Sequence, residues 1–255
     1  EKITKNKKAD LIYSANTLSH IENFEEIFKS INNALSDRGV LIIEDPSLLK
    51  CLQNLAYDQF YCEHIYVFST LSLREVLKNF KLEIFDVENT KTHGGSNRYY
   101  IKKNINSLYK ISNRVKIEIK KELQFGINKF STYQTFAKKV KISKNKLLKI
   151  FSSLSKKKLR IVGYGATAKS CTVLNYCGLG KSDIKYFYDT TSYKVNKYLP
   201  GSKILIKKYK KLNRKEIDVV FLGAWNFKKE IFKKEKQFIK SGGKFITHVP
   251  YPKII

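Results

Sequence analysis

Residues 159–168 have the sequence LRIVGYGATA, and this stretch decides the fold expected of the second half of the chain. A short apolar run leads into Gly163-x-Gly165-x-x-Ala168, so the pattern predicts a strand, a tight turn and the start of a helix. Further strand-like runs follow, separated by segments long enough for helices: 184–188, 218–222 and 244–247. Strands that alternate with helices predict an α/β fold with a doubly wound sheet.

The first hundred residues show the same alternation. A short strand is expected at Ala9–Ser14, a helix capped by Asn23 follows, and the apolar run Val40–Ile43 is typical of a central parallel strand. Pro46 is expected to end that strand. A second amphipathic helix and two closing strands are then predicted, at 69–80, 82–87 and 98–101.

The two alternating regions are separated by a Lys-rich stretch without proline. Its intermittent apolar positions predict either one long helix or two helices broken at Gly126. We therefore expect three segments: a domain over 1–102, a helical connector over 103–155 and a second domain over 156–255.

Charge is the most unusual property of the composition. The 255 residues include 50 Lys+Arg and 22 Asp+Glu, for a formal net charge of +28. A cationic protein can bind nucleic acid, but only six of these residues are Arg, the side chain that nucleic-acid sites favour. We interpret the charge as a bias towards Lys and expect no nucleic-acid partner.

Several classes of protein can be set aside on the sequence alone. No apolar run approaches the roughly 20 residues of a membrane span, so no membrane partner is expected. The four cysteines form no CxxC pair, which predicts neither a metal site nor a disulfide framework in these residues. A reducing, cytoplasmic location is the default expectation.

The first candidate for chemistry is the polar run at 57–66, YDQFYCEHIY, which follows the predicted central strand. Open α/β sheets place active sites beyond the carboxyl ends of their strands. Histidine is the side chain best suited to take a proton near neutral pH, and a neighbouring carboxylate or phenol can orient it. Tyr61, Glu63 and His64 form the catalytic hypothesis, and a polar surface loop is the alternative.

Three other stretches have residue types that suit ligand binding. The loop before the last strand of the first domain contains His93, Gly94, Gly95, Ser96 and Arg98, which could cradle a phosphate or sugar or could simply connect two strands. The glycine turn at Gly163 and Gly165 could approach a pyrophosphate or could serve strand–helix packing. Asn16 and His20 follow the first strand, where a structural role is the alternative.

Taken together, these residues resemble a known family. The pattern from Ala9 to Glu44 is similar to the second half of a class I S-adenosylmethionine-dependent methyltransferase. More specific motifs resemble the sugar C-methyltransferases that act on nucleotide-linked keto-deoxysugars: Glu44-Asp45-Pro46, Tyr57-Asp58-Gln59, Tyr61, Glu63-His64, Phe68-Ser69, His93-Gly94-Gly95-Ser96, Arg98, Gly163-Tyr164-Gly165-Ala166, Lys169, Asn175-Tyr176-Cys177-Gly178, Asp189 and Leu199-Pro200-Gly201.

The resemblance implies a fold and a reaction. The chain would hold the C-terminal half of a methyltransferase Rossmann-like sheet and a second Rossmann-like domain that closes over a sugar nucleotide. His64 would be the general base that forms an enolate next to the keto group, with Tyr61 and Glu63 assisting. Asn16 and His20 would lie near the cofactor; His93, Gly94, Gly95, Ser96, Arg98, Gly163, Gly165 and Lys169 would contact the substrate.

The chain also departs from that family pattern. Members begin with a cysteine-rich zinc-binding domain and strands bearing a glycine-rich cofactor loop, whereas this sequence starts at Glu1 with the fourth strand as its first recognisable one. We therefore expect a fragment with an exposed apolar sheet edge and zinc only in the missing part. The 255-residue chain should bind S-adenosylmethionine poorly and be inactive alone; calorimetry showing micromolar affinity would contradict this.

Two other classes stay open at this point. A nicotinamide-dependent oxidoreductase could be built on Gly163-x-Gly165, and a non-enzymatic nucleic-acid binder could use the net charge of +28. The oligomeric state, the methylated carbon and the nucleotide are not predicted.

Overall fold

The computed structural model describes residues 7–255, which divide into two compact units. The first unit contains the chain up to Gln53 together with Cys62–Gln134, and the second contains Asn54–Tyr61 together with Thr135–Ile255. Residues 1–6 of the expected domain 1–102 lie outside the described residues. The three segments expected from the sequence differ from these units, because the helical stretch is shared between them and Asn54–Tyr61 joins the second.

A mixed four-stranded sheet forms the centre of the first unit. Its strands are β1 (Ala9–Ala15), β2 (Leu35–Pro46), β3 (Leu82–Thr90) and β4 (Ser96–Lys103), in the order β1-β2-β4-β3. β1 and β2 run parallel and pair Ala15 with Glu44, whereas β4 is antiparallel to both of its neighbours. Within residues 7–255, β1 is the edge strand of this sheet, and its Leu11 and Tyr13 side chains are exposed.

Four helices surround this sheet: α1 (Phe24–Ala34), α2 (Leu48–Gln53), α3 (Thr70–Lys78) and α4 (Asn113–Phe125). The expected cap at Asn23 is confirmed, because its side chain accepts from the Glu26 N–H; at the start of α3, the Ser69 side chain accepts from the Ser72 N–H. α4 ends at Gly126, which takes the left-handed conformation with φ 88°, so of the two alternatives the helical stretch forms two helices.

The second unit is built on a six-stranded sheet in the order β10-β9-β8-β5-β6-β7. Its strands are β5 (Ile161–Tyr164), β6 (Phe187–Asp189), β7 (Ile206–Lys208), β8 (Val219–Leu222), β9 (Lys244–Thr247) and β10 (Lys253–Ile254). All pairs are parallel except that of β9 with β10. The α/β prediction is confirmed, although β6 begins three residues later than its pattern indicated.

The helices of the second unit are α6 (Ala168–Cys177), α7 (Lys228–Lys234), α8 (Lys236–Lys240) and the part of α5 (Phe130–Lys156) from Thr135 onwards. α5 is more than a connector, since Leu147, Phe151 and Leu154 are buried in the core and the Phe151 ring centroid lies 6.0 Å from that of Phe221. None of the helices within residues 7–255 combines the length and the apolar character that crossing a bilayer requires.

Candidate active site

The carboxyl ends of β1 and β2 lie side by side and begin the site in the first unit. Because Ala15 pairs with Glu44, Asn16 directly follows β1 beside Asp45, the last residue but one of β2. The Asn16 N–H donates to the Glu44 carbonyl oxygen at 2.7 Å, and Asn16 takes a positive φ of 52°, which Asn tolerates better than most residues. This is the edge at which parallel strands place binding residues.

A short 3₁₀ turn, Leu18–His20, connects this edge to the predicted catalytic residues. The buried Ser19 hydroxyl donates to Asp45 Oδ1 at 2.8 Å, and the Ser19 carbonyl oxygen accepts from the Tyr66 N–H at 3.2 Å. The turn is therefore held on one side by the sheet edge and on the other by the chain just after His64. As a result, the His20 and His64 ring centroids lie 5.1 Å apart.

Asp45 is a site residue that the sequence reasoning did not single out. Its side chain is 1% exposed, and its Oδ2 atom has no hydrogen-bond partner among the described residues. Burial raises the pKa of Asp45 to about 6, while the hydrogen bond from Ser19 and the nearby His20 act in the opposite direction. An acidic residue at the end of a buried strand beside another strand end was the pattern that could have identified it.

The three predicted catalytic residues are divided between the units. Glu63 is exposed and His64 half-buried in the first unit, whereas the half-buried Tyr61 belongs to the second. The structure brings His64 to His20, so an imidazole pair lies in the first unit near the ends of β1 and β2. The catalytic roles themselves stay predictions.

The loop between β3 and β4 contains the predicted substrate residues His93, Gly94, Gly95 and Ser96. His93, Gly94 and Gly95 take positive φ values of 51°, 91° and 128°. A Cβ atom on Gly95 would lie 2.8 Å from Lys50 Cγ, so the loop passes too close to α2 for a side chain there. Ser96 is buried and donates to the Thr92 carbonyl oxygen, which braces the loop.

Arg98 is also at this edge, but its charge is compensated. Its Nε and Nη2 atoms each lie 2.8 Å from Glu44 Oε2, and Glu88 lies 3.8 Å from Nη1. This pairing holds the pKa of Arg98 above its usual range. Thr92 donates to the other Glu44 oxygen at 2.9 Å. Arg98 and the loop are therefore fixed to the residue before Asp45, and Arg98 is not an uncompensated cation.

The glycine turn of the second unit is closely packed by its own neighbours. A Cβ atom on Gly163 would lie 2.4 Å from the Phe187 ring, and one on Gly165, where φ is 85°, would lie 2.6 Å from Ala224 Cβ. These contacts require glycine for packing between β5, β6 and the chain after β8. The substrate-binding role of Gly163 and Gly165 stays a prediction.

Asp189, the acid at the end of β6, is used by the same turn. Its Oδ2 accepts from the Ala166 N–H at 2.8 Å, and its Oδ1 accepts from the Thr191 N–H at the same distance. Lys194 donates to the Ala166 carbonyl oxygen at 3.0 Å. The Ala166 amide is a group that could bind a pyrophosphate, and the Asp189 carboxylate is a group that could bind a ribose. Here the two are hydrogen-bonded to each other.

Lys169, the last predicted substrate residue, is the second residue of α6 and is 6% exposed. Its Nζ atom lies 5.5 Å from the centre of the Trp225 ring, a cation–π distance. Trp225 itself escaped the sequence analysis because a lone tryptophan after a strand has no distinctive pattern.

Metal-binding groups are few in the described part of the chain. Residues 7–255 hold no cluster of three or more His, Cys, Asp or Glu side chains arranged to bind a metal ion. The four cysteines form no disulfide.

Comparison with known proteins covers almost the whole chain. Residues 91–250 match the family model described as the C-methyltransferase C-terminal domain, and residues 2–87 match a methyltransferase domain model. The chain is also 30% identical over 252 residues to the C-methyltransferase NovU of Streptomyces niveus. That alignment includes 99% of this chain and 60% of NovU, so the chain spans less than two thirds of that protein's length.

Proposed function

The chain belongs to the C-methyltransferase family, and on this premise we propose that it takes part in S-adenosylmethionine-dependent methylation of a carbon atom next to the keto group of a nucleotide-linked deoxysugar. One observation carries the proposal: His64 lies against His20 in a unit whose sheet edge holds two buried polar atoms, Asn16 Oδ1 and Asp45 Oδ2, that have no hydrogen-bond partner within residues 7–255. An imidazole beside unmatched polar groups suits proton removal from a bound substrate.

His64 is the proposed general base. Its imidazole takes the proton from the carbon next to the keto group, and the electron pair of that C–H bond becomes the enolate. Tyr61 and Glu63 orient the base or balance charge at the keto oxygen. S-adenosylmethionine supplies a methyl group on a sulfonium, and the new carbon–carbon bond forms as the methyl–sulfur bond breaks, leaving a neutral thioether.

The residues at the end of β1 fit the cofactor. Asn16 Oδ1 and Asp45 Oδ2 are buried acceptors without partners in the part of the chain that the structure describes, and unmatched buried acceptors suit an ammonium group such as that of the cofactor's methionine moiety. We assign Asn16 and His20 to the cofactor on this ground, with Asp45 added to the set. Zinc remains a proposal for a cysteine-rich domain outside these residues.

The sugar nucleotide is assigned to the remaining predicted residues. In the first unit the loop His93–Ser96 is assigned to the sugar nucleotide together with Arg98, whose charge is balanced by its ion pair with Glu44. In the second unit the buried Lys169 beside Trp225 offers a charge suited to an anionic diphosphate, and Gly163 and Gly165 serve the turn that precedes it. We place the reaction in the cytoplasm.

The two other classes are not favoured. The oxidoreductase interpretation needs Asp189 and the Ala166 amide for a dinucleotide, yet the two are bonded to each other. The nucleic-acid interpretation needs available arginines, yet five of the six pair with acidic side chains: Arg74, Arg98, Arg114, Arg160 and Arg214.

The test is the His64→Gln variant of the complete protein, assayed with methyl-labelled S-adenosylmethionine. The substrates are nucleoside-diphosphate-linked keto-deoxysugars that differ in the position of the keto group. We expect methyl transfer to fall by about 10²–10⁴-fold, the usual contribution of a general base. The wild type should also exchange the proton next to the keto group in heavy water.

Two controls accompany this test. Calorimetric affinity for S-adenosylmethionine should stay the same in His64→Gln, because the base is not assigned to the cofactor. Unchanged turnover in His64→Gln would rule out this residue as the base, and no labelled product with any keto-deoxysugar would rule out the substrate class.

A further inference from the structure

Asn54–Tyr61, which we call the linking segment, has an unusual place in the chain. The residues before it and after it belong to the first unit, but the segment itself belongs to the second. It ends three residues before His64, and a turn at 62–63 separates them. The linking segment is therefore the stretch of chain that leads directly into the turn before the proposed base.

A buried carboxylate joins the linking segment to two distant parts of the second unit. Asp58 Oδ2 accepts from the indole Nε1–H of Trp225 at 2.5 Å and lies 3.0 Å from His248 Nε2. Trp225 follows β8 and His248 directly follows β9, so both partners stand at strand ends of the same sheet. We call these three side chains the Asp58 anchor.

Aromatic side chains exclude water from the anchor. The His248 ring stacks on Phe221 with centroids 5.7 Å apart, and Tyr57 meets His248 edge-on at 6.1 Å. A second ring contact, between Phe60 and Phe136 at 5.9 Å, holds the other end of the segment. The Asp58 and His248 side chains are fully buried. Hydrogen bonds to a charged group in such surroundings are strong and restrict geometry.

The complete burial of Asp58 and His248 limits the roles that the Asp58 anchor can have. Neither Asp58 nor His248 can touch a substrate, because no part of either side chain reaches the surface. Yet an apolar side chain would fill the same space without the desolvation that a buried carboxylate requires. What Asp58 contributes instead is directional: its bonds join the segment to Trp225 and His248, two side chains from other parts of the second unit.

We propose that Asp58 is a positioning residue for the active site: its bonds to Trp225 and His248 fix the linking segment and thereby the course of the chain into His64. This inference rests on the proposed role of His64 as base. Loss of the anchor leaves the catalytic groups present but lets the chain that leads to them take several conformations, which lowers the fraction of productive geometry.

The experiment compares Asp58→Asn and Asp58→Ala with the matched control Glu235→Gln. Glu235 is a second buried carboxylate of the same unit and accepts from Tyr209 and Leu212. Hydrogen exchange of residues 59–66 is measured first, because it needs neither substrate nor cofactor. We expect it to rise at least tenfold in Asp58→Ala and less in Asp58→Asn, and to stay unchanged in Glu235→Gln.

Two further readouts separate positioning from general destabilisation. Trp225 is the single tryptophan of the chain, so its fluorescence emission reports the anchor directly and should shift in both Asp58 variants and not in Glu235→Gln. For methyl transfer, we expect kcat to fall at least tenfold in Asp58→Ala while the KM for the sugar nucleotide changes less than twofold. Asp58→Asn, which keeps one acceptor, should recover part of kcat.

The outcomes are distinct for the two proposals. Unchanged exchange at 59–66 in both Asp58 variants would overturn the anchor, whatever the result for His64. An equal loss of kcat in Glu235→Gln would also overturn it, since any buried carboxylate would then suffice. Increased exchange in Asp58→Ala together with an active His64→Gln would support the anchor and reject the base.

Discussion

The ends of β1 and β2 in the first sheet and the ends of β5 and β6 in the second sheet have opposite arrangements. At the ends of β1 and β2, Asn16 Oδ1 and Asp45 Oδ2 are buried without hydrogen-bond partners among the described residues. At the ends of β5 and β6, Asp189 is bonded to the Ala166 and Thr191 amides, and the glycine turn is packed against Phe187 and Ala224.

This difference teaches where to look for a ligand. A buried polar atom without a partner costs about 1–3 kcal/mol, so such an atom at a strand end is a candidate contact for a bound ligand. A glycine motif, by contrast, can be required by packing alone. The more recognisable sequence motif is therefore the weaker indication of binding in this protein.

Gly165→Ala should produce the largest effect on stability. The added methyl group would lie 2.6 Å from Ala224 Cβ at a φ of 85°, so we expect overpacking and backbone strain to cost about 3 kcal/mol in urea unfolding. Gly178→Ala is the control, because φ there is 69° but no atom lies within 4 Å; it should cost about 1 kcal/mol. Equal losses would mean that packing is not what requires Gly165.

Asp45→Asn should have the second-largest effect on stability, and it should raise the free energy of unfolding instead of lowering it. The native state binds the Asp45 proton more tightly than the unfolded chain does, because burial raises the pKa to about 6. Wild-type stability therefore falls as the pH rises from about 4 through 6, and the variant escapes this loss. We expect a gain of about 2 kcal/mol at pH 8 that vanishes at pH 4.

Denaturant unfolding across that pH range measures the Asp45 prediction. A gain independent of pH would show that titration of Asp45 is not its cause. Affinity of the complete protein for S-adenosylmethionine should fall in the same variant, since a neutral amide holds an ammonium group less well than a carboxylate. Higher stability with weaker binding is the result expected of a ligand site.

Asn16→Gly should have the smallest effect on stability. It tests whether the Asn16 Oδ1 atom at the end of β1 binds the cofactor. Glycine tolerates the φ of 52°, so stability should stay within about 0.5 kcal/mol, while the Kd for the cofactor should rise about tenfold through loss of the Oδ1 acceptor. Calorimetry on the complete protein checks this. Unchanged affinity would remove Asn16 from the cofactor set.

Local patterns were sufficient for much of the fold. The cap at Asn23 was predicted, and a break at Gly126 was one of the two alternatives for the helical stretch, because each depends on side chain and backbone within a few residues. β7 and β10 were missed, since strands of three and two residues with exposed lysines show no hydrophobic period.

The candidate site was predicted only in part. His64, His20 and Asn16 were chosen from their places after strands, and Asp45 was quoted only as part of a motif. Its importance arises from the parallel register of β1 with β2 and from the hydrogen bond with Ser19, 26 residues away in sequence. A local sequence pattern cannot indicate a contact between two residues that lie so far apart in the chain.

The sequence by itself determined the α/β alternation, the helix ends and the family, because these depend on residue type and short spacing. Only the tertiary structure decided that Arg98 is compensated by Glu44, that the glycine turn is filled by its neighbours, and that Asp58 meets Trp225 and His248. The physical reason is that burial and hydrogen bonding depend on every segment packed around a group. The spacing of residues in the sequence describes only the segment to which that group belongs.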